Sequence, residues 1–520
     1  MSTDSADGAG RSLNRQGGTV AAMTGLSRLS GFVRDMVLSY AFGASAVADA
    51  FFVAFRIPNF FRRLFAEGAF SQAFVPVLSA YRASGDRAEF LRFVSVMSAH
   101  FGLVLFAVCL VGVLAAPGLV AIFAPGFWRD PDKLALTSDM VRITFPYLGF
   151  ISLTAFAGAL LNAHHRYAVP AFTPVLLNLS LIGAALLPAT LFDQPVMALA
   201  WGVFVAGVVQ FLFQLPALRN LGLLVAPRTD WQHAGMRRVG RLVVPSVFAA
   251  SVSQINSLVD TMIASLLVTG SISWLYYADR LLELPIGVVA VAISTVMLPN
   301  LSRLHAQKSS EGFARTLDWG IRMALLFALP AAAALYILAV PIIAAIFQRG
   351  ALTAADVTMT ALALQAFSVG LVGLTLVKVT APAYFAREDT TTPFRIAVVA
   401  VGVNLALNLA LFKPMGHVGL ALATSTASLV QTFLLARGIL IAGLYRPGRD
   451  FARFCTRVVL AVAAMAAVLV VACPPASEWT RMAELPRALS LLGLCAAGGL
   501  TYFLVLGILG MRPASLRYRV

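Results

Sequence analysis

Charged residues are scarce in this sequence. They make up 12% of the 520 residues, about half the share of a soluble globular chain. Hydrophobic residues make up 59%, and the mean hydropathy is +0.85. No polar block between Thr19 and Gly510 is long enough to form a water-soluble domain. These shortages exclude a soluble protein and indicate that the whole chain is a membrane domain.

Residues that bind metals or carry out catalysis are also few. The four cysteines lie far apart, mostly in apolar runs, which excludes the close spacing of a zinc or redox site. The sequence has no Gly-x-x-x-x-Gly-Lys loop, no His-Glu-x-x-His pair and no Gly-x-Ser-x-Gly elbow. Neither ATP hydrolysis nor covalent catalysis is supported, so we do not expect an enzyme and predict no organic cofactor.

Acidic residues are fewer than basic ones, 23 against 39, which gives a formal net charge of +16. In a soluble protein this excess would suggest a nucleic acid partner. Here the basic residues concentrate in alternate loops, near 82–92, 219–241, 303–315 and 437–457, so no nucleic acid is predicted. By the positive-inside rule these loops face the cytoplasm, which places both termini there.

Apolar stretches of about 20 residues recur along the chain, the length that one transmembrane helix needs. They predict an all-α polytopic membrane protein with about fourteen transmembrane helices, near 19–43, 48–81, 89–115, 137–163, 170–191, 196–219, 239–267, 273–303, 314–347, 355–386, 393–413, 416–440, 453–473 and 486–511. Prolines punctuate the second and eighth segments, which we expect to be bent or broken. Residues 1–18 are predicted to be disordered and cytoplasmic, and residues 512–520 to form a cytoplasmic tail.

An internal repeat is visible at offsets of 227 and 223 residues. Pro58 is matched by Pro285, and the stretch around Pro76 by the stretch around Pro299. Because six predicted helices separate the two copies, both have the same orientation, and a pseudo-twofold axis along the membrane normal should relate them. This predicts two six-helix lobes, 19–220 and 239–445, with helices 13–14 at 453–511 as an addition.

Many charged residues lie inside the predicted spans. Inserting one charged side chain at the membrane centre costs about 2.5–3.5 kcal/mol of free energy. They must therefore face protein or water, and most are cationic. A water-filled cationic cavity between the lobes would suit an anionic substrate, since arginine forks bind phosphate oxygens. The alternative is that they form ion pairs or lie at helix ends. The residues predicted to bind substrate are Arg28, Arg34, Asp49, Arg56, Arg62, Arg280, Glu283 and Lys378.

A second polar group points to a cation. Asp260 lies deep in the seventh span, Asn404 and Asn408 share one face of the eleventh, and Thr424 lies near the start of the twelfth. One carboxylate with amide and hydroxyl oxygens suits sodium. The alternative is a buried hydrogen-bond cluster without an ion.

Three stretches of sequence resemble the MurJ (MviN) family of bacterial lipid II flippases. They are 25–35 (GLSRLSGFVRD), 48–76, which contains ADAFFVAFRIPN and FRRLFAEGAFSQAFVP, and 274–283 (WLYYADRLLE). The resemblance extends from about Thr19 to the C-terminus. It implies the fold of the multidrug/oligosaccharidyl-lipid/polysaccharide (MOP) exporters, with two six-helix lobes, and a lipid-tail groove formed by helices 13–14.

The resemblance also implies function. It suggests a multi-pass protein of the bacterial inner membrane that moves lipid II, the undecaprenyl-pyrophosphate glycopeptide precursor of peptidoglycan, from the cytoplasmic to the periplasmic leaflet by alternating access. The partners implied are lipid II and membrane lipids. The family's essential cavity residues fall on Arg28, Arg34, Asp49, Arg62, Arg280 and Glu283. Its sodium site matches Asp260, Asn404 and Thr424, but departs from the pattern at the neutral Asn408.

Two other functions compete with this one. A multidrug and toxin extrusion (MATE) antiporter would share the fold, but its substrates are commonly cationic, which an arginine-rich cavity would repel. A membrane scaffold without transport activity would have no use for so many charges inside its spans. The sequence therefore favours an anionic lipid substrate.

Overall fold

The computed structural model describes the backbone of residues 3–64 and 70–511, and the side chains of 18–64, 70, 73–188, 190–243 and 254–511. Those residues contain helices and no strands, as the apolar spans predict. Inside a membrane a helix satisfies its backbone hydrogen bonds within its own segment. The chain divides into two compact units, Met1–Leu266 and Leu267–Val520.

The described residues of the first unit contain ten α-helices. They are α1 (Thr3–Phe42), α2 (Ala46–Arg62), α3 (Ser71–Ala83), α4 (Arg87–Leu114), α5 (Ala116–Phe123), α6 (Pro131–Thr144), α7 (Tyr147–Ala163), α8 (Ala168–Ala185), α9 (Met197–Asn220) and α10 (Ala234–Ser265). Helix α8 packs against α1 and α9, and α2 packs against α6. Stacked phenylalanines fill the space among α3, α4 and α7, with the Phe70 and Phe101 ring centroids 4.0 Å apart.

The second unit contains nine α-helices within the described residues. They are α11 (Ser271–Pro285), α12 (Val291–Ala306), α13 (Ser310–Ile337), α14 (Ala339–Phe347), α15 (Ala354–Phe385), α16 (Thr391–Ile441), α17 (Arg449–Ala472), α18 (Ala476–Arg481) and α19 (Glu484–Ile508). Helix α15 is central, because it packs against α11, α13 and α16. Helices α17 and α19 pack together, and α17 also contacts α13.

One predicted break in the helices is confirmed. In the second predicted span α2 ends at Arg62 and α3 begins at Ser71, but residues 65–69 between them lie outside the described residues. The eighth span is interrupted after Pro285 by a π-helical turn, Ile286–Ala290. Proline has no N–H to donate and its ring crowds the preceding turn, so the hydrogen-bond ladder is disturbed there. Helix α16 contains a further kink at Gly416, whose φ of 56° and ψ of −135° suit glycine; it separates the predicted eleventh and twelfth spans.

Ten helical segments among the described residues are long and apolar enough to cross a membrane. Helix α1 is outside that set, because Arg28, Arg34 and Asp35 interrupt its apolar stretch. One of the ten, α16, covers two predicted spans. The structure thus supports a multi-span membrane protein, and the count of fourteen spans stays a prediction.

The structure differs from the sequence-based boundaries in two places. Helix α10, expected to open the second lobe, belongs to the first compact unit, where it contacts α3 and α5. Helix α1 begins at Thr3, although 3–18 is predicted to be disordered; once a helix exists, each added residue gains a backbone bond at little cost. The predicted tail, 512–520, lies outside the described residues.

Small residues allow α15 and α16 to approach closely. A Cβ added at Gly370 would lie 2.5 Å from the Ser425 Cα, and one at Gly373 would lie 2.9 Å from the Ser428 Oγ. The serines also donate hydrogen bonds across the interface, with Ser425 Oγ 2.7 Å from the Ala366 carbonyl. Small residues and hydroxyl groups of this kind hold membrane helices together, since lipid provides no hydrophobic force between them.

We expect Gly370→Val to destabilise the second unit by about 1–3 kcal/mol, because the added side chain would overlap the α16 backbone. The measurement is the unfolding midpoint of the protein in detergent. Gly402→Val on the same helix pair is the control, since a Cβ there meets nothing within 4 Å. Equal losses in the two variants would contradict the packing argument.

Candidate functional site

The residues predicted to bind substrate divide between the two units. Five of them lie in the first unit, namely Arg28, Arg34, Asp49, Arg56 and Arg62, and three lie in the second, namely Arg280, Glu283 and Lys378. Their meeting in one cavity stays a prediction. Each group is described within its own unit.

Arg34 is buried and bound to protein. Arg34 is 3% exposed. Its Nη2 and Nε lie 2.7 and 2.9 Å from Asp35 Oδ1, and its Nη1 donates to Asn178 Oδ1 at 3.0 Å. Asn178 on α8 also donates to the Ser27 carbonyl and to Ser30 Oγ on α1. A charge so deeply buried needs such partners, and the group fastens α1 to α8.

This environment fits the alternative of an ion pair for Arg34, and its role in binding substrate stays a prediction. In the structure all three guanidinium nitrogens contact Asp35 or Asn178. Its first role is therefore to stabilise the α1–α8 contact, and a substrate phosphate would have to displace these partners.

Arg28 has a different environment, although it is on the same helix. It lies on the exposed surface of α1 within the first unit, and no hydrogen bond or ion pair ties it to another described residue. Lys378, on α15 of the second unit, is exposed in the same way and forms no ion pair within the described part of the chain. These two cations are open to a ligand.

Asp49 and Arg56 lie on α2 and contact neighbours within the first unit. The Asp49 carboxylate is 2% exposed, and its Oδ2 lies 3.5 Å from Lys133 Nζ. Lys133 is a residue that the sequence assigns to a loop. Arg56 Nη1 donates to the Thr261 hydroxyl of α10 at 2.5 Å. Both α2 residues therefore have partners, and Thr261 is a partner that sequence reasoning missed.

Arg62 is half-buried near the end of α2, and its Nε donates to Asn59 Oδ1 one turn earlier, at 3.0 Å. This local contact suits the alternative of a helix-end charge. The neighbouring Arg63 is exposed, and Glu67 lies outside the described residues.

Arg280 and Glu283 form a half-exposed ion pair on α11. Arg280 Nη1 lies 2.6 Å from Glu283 Oε2, with the two side chains 33% and 51% exposed. The guanidinium carbon also lies 5.8 Å from the Tyr276 ring centroid, within the range of a cation–π interaction. Because the pair is partly hydrated, Glu283 can exchange for another anion at modest cost.

The residues predicted to bind sodium are also divided. Asp260 is in the first unit, whereas Asn404, Asn408 and Thr424 form a hydrogen-bonded chain in the second. Asn408 Nδ2 donates to Asn404 Oδ1 at 2.8 Å, and Asn404 Nδ2 donates to Thr424 Oγ1 at 3.2 Å. Within the second unit the arrangement fits the alternative of a buried hydrogen-bond cluster, because protein donors already occupy Asn404 Oδ1 and Thr424 Oγ1.

Sequence reasoning missed a polar group around α13. Arg322 Nε lies 2.6 Å from Asp318 Oδ2, and the Tyr445 hydroxyl donates to Asp318 Oδ1 at 2.5 Å. The guanidinium also lies near the Phe451 and Phe454 rings. Burial, together with the Asp318 carboxylate, raises the pKa of Tyr445, which lies in the loop after α16. The i, i+4 spacing of Asp318 and Arg322 inside an apolar span was the available signal.

Arg487 is a second residue whose partners sequence reasoning missed. It lies at the start of the last predicted span, 486–511, yet it is 6% exposed. Its guanidinium donates to the carbonyls of Ala344, Gln348 and Met482. It thus satisfies carbonyl groups at the end of α14, which no further helical turn can satisfy, and it joins α14 to α19.

Comparison with known proteins assigns the chain to a family. The family model "Lipid II flippase MurJ" matches residues 38–489. The chain belongs to the lipid II flippase MurJ family. It is 44% identical over 512 residues to the "Probable lipid II flippase MurJ" of Vibrio cholerae serotype O1, covering 97% of this chain and 98% of that one. It is 39% identical over 507 residues to the "Lipid II flippase MurJ" of Burkholderia cenocepacia, covering 96% and 98%.

Solved structures agree with the MurJ family assignment. A lipid II flippase MurJ in an inward closed conformation is 26% identical, with a TM-score of 0.79 over 94% of this chain and 98% of that one. An inward-facing MATE transporter of the MOP superfamily is 14% identical, with a TM-score of 0.64 over 81% and 94%. The latter shows the fold alone. The predicted MOP exporter fold is therefore confirmed.

Proposed function

We propose that this protein is a lipid II flippase, which moves the undecaprenyl-pyrophosphate-linked precursor from the cytoplasmic to the periplasmic leaflet of the bacterial inner membrane. The observation that carries the proposal is its similarity to lipid II flippases over nearly its full length. Arg28, which is exposed, and Arg280, which is half-exposed, are cations inside predicted spans and support an anionic substrate.

The structure changes how the substrate would be held. We assign the pyrophosphate to Arg28 and Arg280 first, because Arg34 is already bound to Asp35 and Asn178. Arg280 would exchange Glu283 for phosphate, since a bidentate fork matches phosphate oxygens as well as carboxylate. Glu283 would then neutralise Arg280 again after release. We propose that the substrate binds one arrangement of the two lobes more tightly than the other, and that this difference in affinity drives alternating access.

Transport of purified protein in vesicles tests this proposal. The protein is reconstituted with fluorescent lipid II, and the fraction accessible to an external reagent is followed over time. We expect faster exposure than in protein-free vesicles, and no comparable acceleration for phosphatidylcholine. Export of a cationic drug without movement of lipid II would instead support a MATE antiporter, and no transport of either would support a scaffold.

The energy source follows from the charge of the substrate. Outward movement of a negative headgroup from a negative cytoplasm gains about 2.3 kcal/mol per charge per 100 mV. We propose that the membrane potential drives this step without ATP. A sodium ion could bias the return of the empty carrier only if it bound one arrangement more tightly, with Asp260 supplying the charge and Asn404, Asn408 and Thr424 the neutral oxygens.

Calorimetry tests for sodium binding, and transport after collapse of the membrane potential tests the electrical drive. If sodium binds, titration into the wild type should give a measurable signal that Asp260→Ala abolishes, because the variant lacks the anionic ligand. Asp356→Asn is a control for loss of a carboxylate elsewhere, since Asp356 accepts from Trp274 Nε1 on α11. Identical null titrations would remove sodium from the mechanism, and transport that survives collapse of the potential would remove the electrical drive.

A further inference from the structure

A basic cleft lies in the second unit, apart from the residues assigned to lipid II. Its volume is about 390 Å³, and its lining includes His305 from the last turn of α12, Lys308 from the turn between α12 and α13, and Arg387 from the turn between α15 and α16. The segment 442–444 after α16 closes one side. Two separate helix connections thus place three basic side chains around one opening, and a third segment closes it.

The charge in the cleft is largely uncompensated. None of the described residues that line it is acidic, and neither Lys308 nor Arg387 forms an ion pair with a described residue. Glu388, which follows Arg387 in the chain, does not line the cleft. Two other nearby acids bond elsewhere: Glu311 lies 3.9 Å from Arg315, and Asp389 Oδ1 accepts from the Thr392 backbone at 2.9 Å. That hydrogen bond, with a smaller contribution from Arg387, lowers the pKa of Asp389.

Neutral donors add to the site. The cleft also includes Ser309 and Ser310, which begin α13, a helix of 28 residues. The first backbone N–H groups of a helix favour an anion in front of them. Combined with two arginine or lysine cations, they suit phosphate oxygens.

The neighbouring surface indicates a lipid as the source of that phosphate. The helices that lead into the cleft end in exposed apolar side chains, Phe385 on α15 and Leu440 and Ile441 on α16, with Ile441 74% exposed. Basic residues directly beside exposed apolar ones at a helix end suit a headgroup whose acyl chains lie along the protein. The positive-inside rule places these turns at the cytoplasmic leaflet.

We propose that this cleft binds the phosphate of an anionic phospholipid of the cytoplasmic leaflet. The site is distinct from the residues assigned to lipid II and does not depend on the proposed transport activity. Lys308 and Arg387 contact the phosphodiester, and the α13 N-terminus contributes backbone donors. The phospholipid bridges the turns that join α12 to α13 and α15 to α16.

The backbone conformation of Lys308 allows a variant that removes the cation and keeps the fold. Its φ of 55° is left-handed, and the residue follows the last turn of α12, where glycine is favoured. Lys308→Gly should therefore remove the cation while relieving backbone strain, so that the fold is kept. Arg387→Gln removes the second cation, and Arg395→Gln on α16 is the matched control, since Arg395 is exposed and does not line the cleft.

Binding is measured on the full chain in detergent by native mass spectrometry, with phosphatidylglycerol and with phosphatidylcholine of the same acyl chains. We expect phosphatidylglycerol to bind more tightly to the wild type. Lys308→Gly and Arg387→Gln should each weaken that binding about fivefold, which corresponds to about 1 kcal/mol per basic residue. Arg395→Gln should leave it unchanged, and thermal unfolding should show that all variants are folded.

Three results would overturn the proposal. One is equal binding of the two lipids to the wild type. Another is the same loss in Arg395→Gln as in Arg387→Gln, which would indicate a general effect of net charge. The third is complete displacement of phosphatidylglycerol by millimolar inorganic phosphate, which would make the cleft a site for free anions.

Discussion

Cells that depend on this protein should lose growth when Arg28 or Arg280 is replaced by alanine. Each guanidinium is proposed to make charge-assisted bonds to the pyrophosphate, worth about 1.5–3 kcal/mol, so that transport should fall about 10- to 100-fold. Arg→Lys at either position should restore only part of the activity, because lysine offers a point charge instead of a fork. The measurement is complementation of cells depleted of the native flippase, with protein levels checked by blot.

Arg315→Ala is the control for this prediction. Arg315 is a surface residue whose side chain is 71% exposed and lies 3.9 Å from Glu311, a distance and exposure at which an ion pair contributes little. It should support normal growth. Full complementation by both Arg28→Ala and Arg280→Ala, at normal protein levels, would show that these arginines do not hold the substrate.

Arg34→Ala should destabilise the protein by about 3–5 kcal/mol, because it removes the cation that lies 2.7 Å from the Asp35 carboxylate, which is 0% exposed. Loss of the Asn178 contact would also loosen α8 from α1. The measurement is unfolding of the purified protein in detergent. Arg28→Ala, on the same helix but exposed, should unfold at the wild-type midpoint although it fails to complement.

A second variant keeps this prediction testable if Arg34→Ala does not fold. Replacing Arg34 and Asp35 together by leucine removes both charges, so most of the lost stability should return. An Arg34→Ala protein that is as stable as the wild type but inactive would indicate that Arg34 binds the substrate. The same comparison thus distinguishes a structural arginine from a substrate-binding one on one helix.

The family resemblance and the break in the eighth span were accessible from sequence because they depend on local signals. A span is a run of apolar residues of fixed length, and Pro285 removes a backbone donor wherever the helix packs. The MurJ motif around Arg28 and Arg280 is also local. For that reason the family, the all-helical class and the interrupted eighth span were predicted correctly.

The partners of the charged residues were not accessible in this way. Arg34 and Arg28 are both arginines within one apolar stretch, and nothing in their spacing shows that Asn178, 144 residues further on, binds only one of them. Arg487 lies at the start of a predicted span, where a charge is expected to face water, yet it is buried and its guanidinium donates to the Ala344 carbonyl of α14. The unit to which α10 belongs was likewise decided by packing.

The sequence by itself determined that this protein is helical, membrane-embedded and a member of the MurJ family, because hydropathy and short motifs are properties of contiguous residues. Only the tertiary structure decided which cationic side chains are bound by other protein groups, as Arg34 is, and which are open to a ligand, as Arg28 is. The physical reason is that the cost of a buried charge depends on the groups brought within a few ångströms of it, and distant helices supply those groups.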